Sequence, residues 1–373
     1  QFIYISSMHL NLRKKMSNEN ALVIVNYDAS YLEEQSRALG YNVYTIDHHN
    51  YNNLKKTLKP KSLKNFISTI SRKHKNVSLL YGSGLEGKKN IYKDFTKLNI
   101  KGNNLNLLNK CGNIYKLENL LKESGFQIPK ILKNRKDLSK YKHLIKPINS
   151  CGGYDISFSN KKKENNYIQK FIPGITYSAC FFIKKNSFIF LGFNKLFLLK
   201  NFSPHPFVHA GAASIRLIPF SKKIIDSLKY FSIKSNMYGF NSIDFKIYDN
   251  NIYVLDVNPR ITSTFKMYND FYDNKLLKSQ LSSDIDSSIY HKYKVKKNYG
   301  FVHIFTDRDF IYNKKPVINK NFINLPKEGE LIKKDNPIFS IYMMDDNYHN
   351  LKNKLKRKIS MTKKYYSCYD INI

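Results

Sequence analysis

The chain has 373 residues, of which 42% are hydrophobic, so it is long enough for two or three subdomains and too apolar for a disordered protein. No stretch approaches the roughly 18 uninterrupted apolar residues of a membrane span, and none is predicted. The four cysteines form no CxxC pair, which argues against zinc-ribbon and thioredoxin chemistry.

The formal charge of +35 raises the question of a nucleic-acid-binding surface. Only eight of the 63 basic residues are arginine, tryptophan is absent, and Lys, Asn, Ile, Tyr and Phe are abundant. A/T-rich codons favour this composition, which raises surface lysine everywhere without selecting a partner. The lysine runs are also scattered, at 161–163, 296–297 and 354–358. Nucleic acid is therefore not expected as a partner.

Residues 1–20 are predicted to be a disordered leader. The opening FIYI is too short for the apolar core of a signal peptide, and the basic residues Arg13, Lys14 and Lys15 follow it rather than precede it. The protein is therefore expected to be cytoplasmic.

Strands and helices alternate in the first hundred residues, with ALVIVNY at 21–27 reading as a buried parallel strand. The elements predicted here are strands at 21–27, 41–46 and 77–81 and helices at 31–39 and 62–72. This alternation is typical of an α/β sheet.

From residue 141 short strands alternate with Gly-rich and Asn-rich turns. Strands are predicted at 143–147, 154–158, 166–171, 178–184 and 187–193, a helix at 221–236, and a hairpin of strands 240–247 and 252–257. The tail 299–346 returns to short strands, and the basic residues 347–359 predict a surface helix. His205 and His209 are expected in a loop beside the substrate pocket, because Pro204 and Pro206 argue against a helix.

A lysine at a strand end precedes a glycine pair in HLIKPINSCGGYDISF, 143–158. Lys146 could supply a positive charge to phosphates, and the backbone at Gly152 and Gly153 could approach the same phosphates closely. Taken alone, these residues fit a lysine at a strand end before a tight turn better, and that interpretation is favoured. In YIQKFIPGITYSACFF, 167–182, the backbone from Gln169 to Ile172 could pair with an adenine edge, but a plain β-hairpin is favoured in isolation.

The hairpin GFNSIDFKIYDNNIYVLDVNPRITST, 239–264, carries the strongest signal. Period-two alternation sends Asp256 and Asn258 toward one face, and Asp244 lies on the partner strand. Two carboxylates and an amide oxygen form a hard-oxygen site suited to Mg²⁺ on ATP phosphates. Arg260 follows and can hold a phosphoryl oxygen with its planar guanidinium.

These three clusters, in this order, resemble the ATP-grasp superfamily, and LDVNPR at 255–260 is close to the superfamily's metal-site signature. The overall pattern is most similar to predicted ATP-dependent carboligases related to biotin carboxylase. The resemblance implies an α/β class (α+β subdomains). Its three domains would be an N-terminal predecessor domain at 21–105 that includes YGSGLE, an ATP-grasp domain at 106–290, and a small β-rich closing domain with a basic terminal helix at 291–373.

The resemblance implies roles for matching residues. Lys110 corresponds to the first nucleotide lysine, with Lys116 as the alternative, and Lys146 to the second, on the α- and β-phosphates. Arg260 corresponds to the arginine that steadies the reacting phosphate or carboxylate. The remaining matches are the phosphate lid (Ser150, Gly152, Gly153), the adenine hinge (Gln169, Lys170, Phe171, Ile172) and the ligands of Mg²⁺, or of Mn²⁺ in its place (Asp244, Asp256, Asn258).

The chain departs from the superfamily pattern in places. Asp256 stands where glutamate is usual, which shortens one metal ligand by a methylene, and Gln169 stands where an acid is common. No lysine-bearing biotin-attachment motif is present. Carboxylation of biotin is therefore disfavoured.

The resemblance implies a ligase that uses Mg-ATP to convert a carboxylate to an acyl phosphate and couples it to an amine or another nucleophile. One alternative is a ligase of one-carbon cofactor biosynthesis, acting on a methanopterin- or methanofuran-type carrier. The other alternative is a protein with the same fold that binds nucleic acid through its basic surface or has lost catalytic activity. The expected partners are small-molecule substrates and a second copy in a homodimer, with no membrane.

Overall fold

The computed structural model describes residues 19–47, 60–133, 135–158, 164–202, 205–291 and 297–373. Most of the predicted leader, and the lysine run 161–163, lie outside these residues. The chain divides into two compact units. The first contains residues up to 80 together with 90–101, and the second contains 81–89 together with 102–373. The domain boundaries at 105/106 and 290/291 stay predictions.

The first unit is built on a four-stranded sheet in the order β2-β1-β3-β4. Its elements are β1 (Asn20–Val25), α1 (Ser30–Ala38), β2 (Asn42–Ile46), α2 (Pro60–Lys73), β3 (Asn76–Tyr81), α3 (Lys89–Phe95) and β4 (Asn99–Ile100). β1 pairs with β2, and β3 with β4, in parallel. Residues 21–25 are fully buried, as their continuous apolar run predicts. The predicted strands and helices of this region are confirmed.

A nine-stranded sheet dominates the second unit. Its path is β11-β10-β7-β8-β9-β12-β16-β14, with β17 paired to β8. These strands are β7 (Thr176–Lys184), β8 (Ser187–Lys200), β9 (His209–Ile215), β10 (Gly239–Tyr248), β11 (Asn251–Asn258), β12 (Asn298–Phe305), β14 (Phe322–Ile323), β16 (Pro337–Asp345) and β17 (Asp370–Asn372). Two separate two-stranded ladders pair β5 (His143–Pro147) with β6 (Asn166–Lys170), and β13 (Phe310–Ile311) with β15 (Leu331–Ile332).

Helices cover this sheet and join its parts. They are α4 (Leu105–Cys111), a 3₁₀ turn (Ile114–Leu117), α5 (Glu118–Glu123), α6 (Arg135–Lys140), α7 (Ser221–Lys234), α8 (Phe265–Phe271), α9 (Lys275–Leu281), α10 (Ser288–His291) and α11 (Tyr348–Lys363). The largest core cluster lies under α7, where Ile224, Leu228 and Phe231 pack with Ile243 and Phe245 of β10. One face of β10 is therefore committed to the core. No helix in the described part of the chain is long and apolar enough to cross a bilayer.

The basic C-terminal helix is amphipathic. Leu351, Leu355 and Ile359 are buried at a spacing of four residues, while the lysines between them face outward. Asn347 caps its N-terminus by accepting from the backbone N–H groups of His349 and Asn350. The predicted surface helix is confirmed, with one face packed in the core.

Two predictions made from local patterns are wrong. Residues 154–158 form turns, with a single bridge between Ser157 and Ile145, where a strand was predicted. Asp155 has a φ of 61°, which an extended strand does not accept. His209 opens β9, whereas the prolines before it had predicted a loop. The extended segment begins only three residues after Pro206, the last proline.

Gly211 lies in β9 opposite Val302 of β12, where the backbone of β12 leaves no room for a side chain. Its φ is +147°, and a Cβ there would lie 2.2 Å from the carbonyl oxygen of Phe301. We expect Gly211→Ala to lower the free energy of unfolding by about 3 kcal/mol in urea titrations. The matched control is Gly329→Ala, because Gly329 also has positive φ but nothing lies within 4 Å of its Cβ position. It should cost about 1 kcal/mol, and equal losses would contradict the packing argument.

Candidate active site

A bulge in the β10–β11 hairpin places the predicted metal ligands. Asp244 pairs with Asp256, but the next residue of β10 pairs with Val254, so Leu255 has no partner in the ladder. Ile252 and Val254 face the core before the bulge, and Val257 faces it afterwards. The extra residue reverses the parity of β11. Without it, Asp256 would share the core-facing side of Val254.

Asp244, Asp256 and Asn258 consequently lie together. The amide of Asn258 donates to Asp244 Oδ2 over 3.4 Å. Burial raises the pKa of Asp244 to about 7, and the neighbouring Asp256 adds to that rise. Lys146, Arg260 and the Asn258 amide oppose it without cancelling it. Two carboxyl groups this close are stabilised by a cation between them.

Lys146 reaches the acidic pair from β5. Its Nζ donates to the carbonyl of Leu255 over 2.7 Å and lies 3.7 Å from Asp256 Oδ1. The bulge is what leaves that carbonyl available. Burial disfavours the charge on Lys146, but Tyr167, Asp256 and Asp244 outweigh it, so its pKa is raised. The lysine is therefore a fixed positive charge in the site.

Arg260 is paired with Glu86, a residue to which the sequence analysis gave no role. Arg260 Nε lies 2.6 Å from Glu86 Oε1, and both side chains are only 8% exposed. The other oxygen, Oε2, accepts from the backbone N–H of Gly84 over 2.7 Å. Burial disfavours the charge on Arg260, but Glu86 and the other acidic neighbours raise its pKa. Glu86 thus fixes one edge of the guanidinium. Its presence in YGSGLE, which was part of the resemblance, was the available signal.

The predicted lid folds against β9. The carbonyl of Gly152 accepts from the N–H of His209 over 2.9 Å. Gly153 has a φ of +80°, and a Cβ there would lie 2.0 Å from the carbonyl oxygen of Phe207, so only glycine fits. The hydroxyl of Ser150 donates to Pro147 over 3.5 Å. Burial, with Glu86 adding to it, raises the pKa of the Cys151 thiol to about 12, which argues against a reactive thiolate.

The predicted hinge contains the last two residues of β6 and the two that follow. Gln169 is buried, and its Oε1 accepts from the Tyr115 hydroxyl over 3.4 Å. The N–H of Lys170 donates to Lys130 and that of Phe171 to Lys142, whereas the N–H of Ile172 has no partner among the described residues.

Lys246 lies beside this hinge and was missed by the sequence analysis. Its Nζ donates to the carbonyl of Ile172 over 2.8 Å, and burial lowers its pKa to about 8. Lys246 stands between Phe245 and Ile247 in the predicted strand, and this pattern gave no sign that the lysine has a role.

The sequence analysis left two candidates for the first nucleotide lysine. Lys110 lies in the last turn of α4 and Lys116 in the 3₁₀ turn, and both side chains are exposed. No hydrogen bond or ion pair among the described residues joins either of them to Asp244 or Asp256. The choice between them stays a prediction.

Residues 111–264 match the protein family described as an ATP-grasp domain, a range that contains every predicted site residue except Lys110. An uncharacterized protein of Methanocaldococcus jannaschii is 28% identical over 260 residues, which cover 65% of this chain and 63% of that protein. The chain thus spans less than two thirds of that relative's length.

Solved structures share the fold over most of the chain. The L-amino acid ligase of Bacillus licheniformis has a TM-score of 0.67 at 14% identity, covering 92% of this chain and 97% of that one. The biotin carboxylase domain dimer of Hydrogenobacter thermophilus 2-oxoglutarate carboxylase was solved with MgADP, ADP and bicarbonate. It has a TM-score of 0.68 at 11% identity, covering 94% and 91%. The predicted ATP-grasp fold is confirmed.

Removing Glu86 should leave a buried arginine without its partner. We expect Glu86→Ala to lower the free energy of unfolding by about 3 kcal/mol, and Glu86→Gln to lower it less, because glutamine keeps an oxygen for Gly84. Urea unfolding measures both. The control is Glu118→Ala, which breaks an exposed pair with Lys122 of similar length and should cost under about 0.5 kcal/mol. A loss for Glu86→Ala no larger than the control's would show that the pair is not buried as described.

His209 should make stability fall in acid. Burial, with His303 adding to it, lowers the pKa of His209 from 6.5 to about 3 in the folded state. The folded protein therefore resists a proton that the unfolded chain accepts, so this contribution is complete above pH 6.5 and is lost as pH falls toward 3. Between pH 7 and 5 the wild type should lose about 2 kcal/mol more than His209→Gln in urea unfolding. Exposed His349→Gln should lose as much as the wild type, and parallel pH profiles for all three would refute the assignment.

Proposed function

We propose that this chain, which belongs to the ATP-grasp superfamily, is a ligase that uses Mg-ATP to activate a carboxylate as an acyl phosphate and joins it to an amine or another nucleophile. The observation that carries this proposal is the convergence of Asp244, Asp256, Asn258 and Lys146 at one bulge, with Arg260 beside them. This combines cation ligands with phosphate-binding cations in a mostly buried site.

The donor set fits a magnesium ion. Asp244 and Asp256 offer carboxylate oxygens from neighbouring strands, and Asn258 offers an amide oxygen. Magnesium takes about six oxygen ligands, so its remaining ligands would be phosphate and water oxygens. When bound, the ion would offset phosphate charge. Manganese accepts the same ligands and stays an alternative.

The residues around this group suit a nucleoside triphosphate. Lys146 is held by Leu255 so that its charge stays near the acidic pair, and it would bind the α- and β-phosphates. Gly152 and Gly153 would cover the phosphates with backbone N–H groups. The N–H of Ile172, which has no partner among the described residues, would pair with the adenine edge at the hinge of Gln169 to Ile172.

Arg260 would hold the carboxylate. Its Nε lies against Glu86 and its Nη1 donates to the carbonyl of Ile261 over 3.3 Å, so the N–H groups of Nη2 are the ones left for the reacting oxygens. A carboxylate oxygen would attack the γ-phosphorus, and the bond to the β-phosphate bridging oxygen would break, releasing ADP. The nucleophile would then attack the carbonyl carbon, lose its proton to solvent and displace inorganic phosphate. The position of Arg260, held by Glu86 beside the acidic pair, supports its assignment to the carboxylate that becomes the acyl phosphate.

No contact among the described residues of the site selects a particular carboxylate or nucleophile. The shared fold with an L-amino acid ligase supports carboxylate–amine ligation. The sequence identity of 14% is too low to indicate the substrates. A one-carbon cofactor ligase stays a prediction, as does a homodimer.

Removing either acid should abolish ATP turnover. We expect Asp244→Asn and Asp256→Asn to lower ADP release at least 100-fold, and to abolish the magnesium-dependent rise in Tm that ATP causes in the wild type. ADP release is screened over pools of carboxylates and amines, and Tm is measured with ATP with and without Mg²⁺. Asp249→Asn is the matched control, because Asp249 is an exposed acid in the turn of the same hairpin.

The same measurements separate the alternatives. A magnesium-dependent rise in Tm without ADP release from any substrate pool would favour a catalytically degenerate protein. No rise in Tm, with nucleic-acid binding that falls steeply as salt increases, would refute the ligase and favour a nucleic-acid-binding protein.

A further inference from the structure

Lys246 is a buried cation facing the proposed nucleotide site. It lies on β10 two residues after Asp244, on the same side of the strand, while Phe245 between them faces the core. Only 8% of the residue is exposed. Its Nζ lies 2.8 Å from the carbonyl of Ile172 and 4.9 Å from the centroid of the Phe171 ring.

The ammonium group of Lys246 has donors to spare. It carries three N–H groups, and the carbonyl of Ile172 is its one hydrogen-bond acceptor among the described residues. A buried charge without further partners is unfavourable, and a bound ligand with acceptor atoms would relieve that. The contact with Ile172 holds the ammonium at the hinge, so such a ligand would meet it there.

The position of Lys246 along β10 indicates which part of a bound nucleotide would lie beside it. Two residues of a strand span about 7 Å, so Lys246 lies about that far from Asp244 toward the hinge. Lys146 and Arg260 lie near the acidic pair instead. If the metal and phosphates lie at Asp244, the part of the molecule beyond the α-phosphate lies at Lys246.

We propose that Lys246 binds the nucleoside of the triphosphate, donating to an acceptor atom on its base or ribose, and thereby determines nucleotide specificity. This inference rests on the proposed function of the same site. Among the other cations of the site, it leaves Lys146 to the phosphates and Arg260 to the carboxylate. The chemistry recognised is a neutral ring nitrogen or hydroxyl oxygen, beside the hinge N–H of Ile172.

The test is a set of double-substitution cycles, in which one change is made in the protein and the other in the nucleotide. Dissociation constants are measured by titration calorimetry in the presence of Mg²⁺ and without the other substrates, so that no turnover occurs. Wild type and Lys246→Met are titrated with ATP, 2′-deoxy-ATP, 3-deaza-ATP, 7-deaza-ATP and ADP. Lys246→Met should weaken ATP binding about tenfold, as expected for one hydrogen bond to a charged group. For one of the three edited nucleosides, the loss of affinity caused by the change in the ligand should be at least about threefold smaller in Lys246→Met than in the wild type.

Each other outcome overturns the inference. Additive losses for all three edited nucleosides would make Lys246 a structural support of the hinge. Non-additivity confined to the ATP–ADP comparison would assign it to the phosphates. Lys142→Met is the matched control, because Lys142 also lies over the Phe171 ring, at 5.1 Å, but is exposed. It should bind every ligand like the wild type, and a tenfold loss there would attribute the effect to the ring.

Failure of the proposed function gives a different result, because a wild type that binds neither ATP nor ADP refutes the nucleotide site itself. Should Lys246→Met not yield folded protein, Lys246→Gln takes its place. Glutamine keeps a donor for Ile172 but removes the charge, and the same cycles and outcomes apply.

Discussion

The candidate site depends on one extra residue, Leu255, in the ladder between β10 and β11. A regular strand would send Asp256 to the same side as Val254, into the core under α7, where a carboxylate has no partner. The bulge reverses the facing of the residues after it and also leaves the carbonyl of Leu255 to receive Lys146. A single local irregularity therefore positions the acid, its amide neighbour and the lysine that approaches from a different ladder.

Charge balance is the second constraint on this arrangement. Three carboxyl groups, on Asp244, Asp256 and Glu86, face two basic side chains, on Lys146 and Arg260. Glu86 is engaged with Arg260, so the acidic pair shares one lysine, and the pKa of Asp244 rises to about 7 because burial and Asp256 disfavour its charge. An arrangement that stabilises only part of its own charge is suited to a ligand that brings a cation. The buried pair of Arg260 and Glu86 meanwhile keeps the arginine in place without a ligand.

Sequence patterns predicted the fold and most of the site where they concern residues close together in the chain. The alternation of strands and helices at 21–81 and the hairpin of Asp244 and Asp256 were predictable because local apolar periodicity determines both. Glu86 meets Arg260 across the chain, so no periodicity reports the pair. The bulge was equally invisible, since alternation within 256–258 holds on either side of it. Lys246 was missed because its partner, the carbonyl of Ile172, is a backbone group that leaves no mark on composition.

The two faces of β10 explain why stability and ligand binding can be separated in this site. Ile243 and Phe245 pack in the core, while Asp244 and Lys246 point the opposite way. Same-length substitutions on the site face leave the packing of the core face unchanged, so a loss of binding can be assigned to the side chain removed. The same geometry gives the site a direction. If the nucleoside lies at the Lys246 end, as proposed, the carboxylate and its nucleophile are expected at the other end, where β11 leads into Arg260 and Gly152 meets β9. Substrate specificity is therefore expected to depend on the residues around Glu86, which lie outside the strands, and on those around His209 at the start of β9.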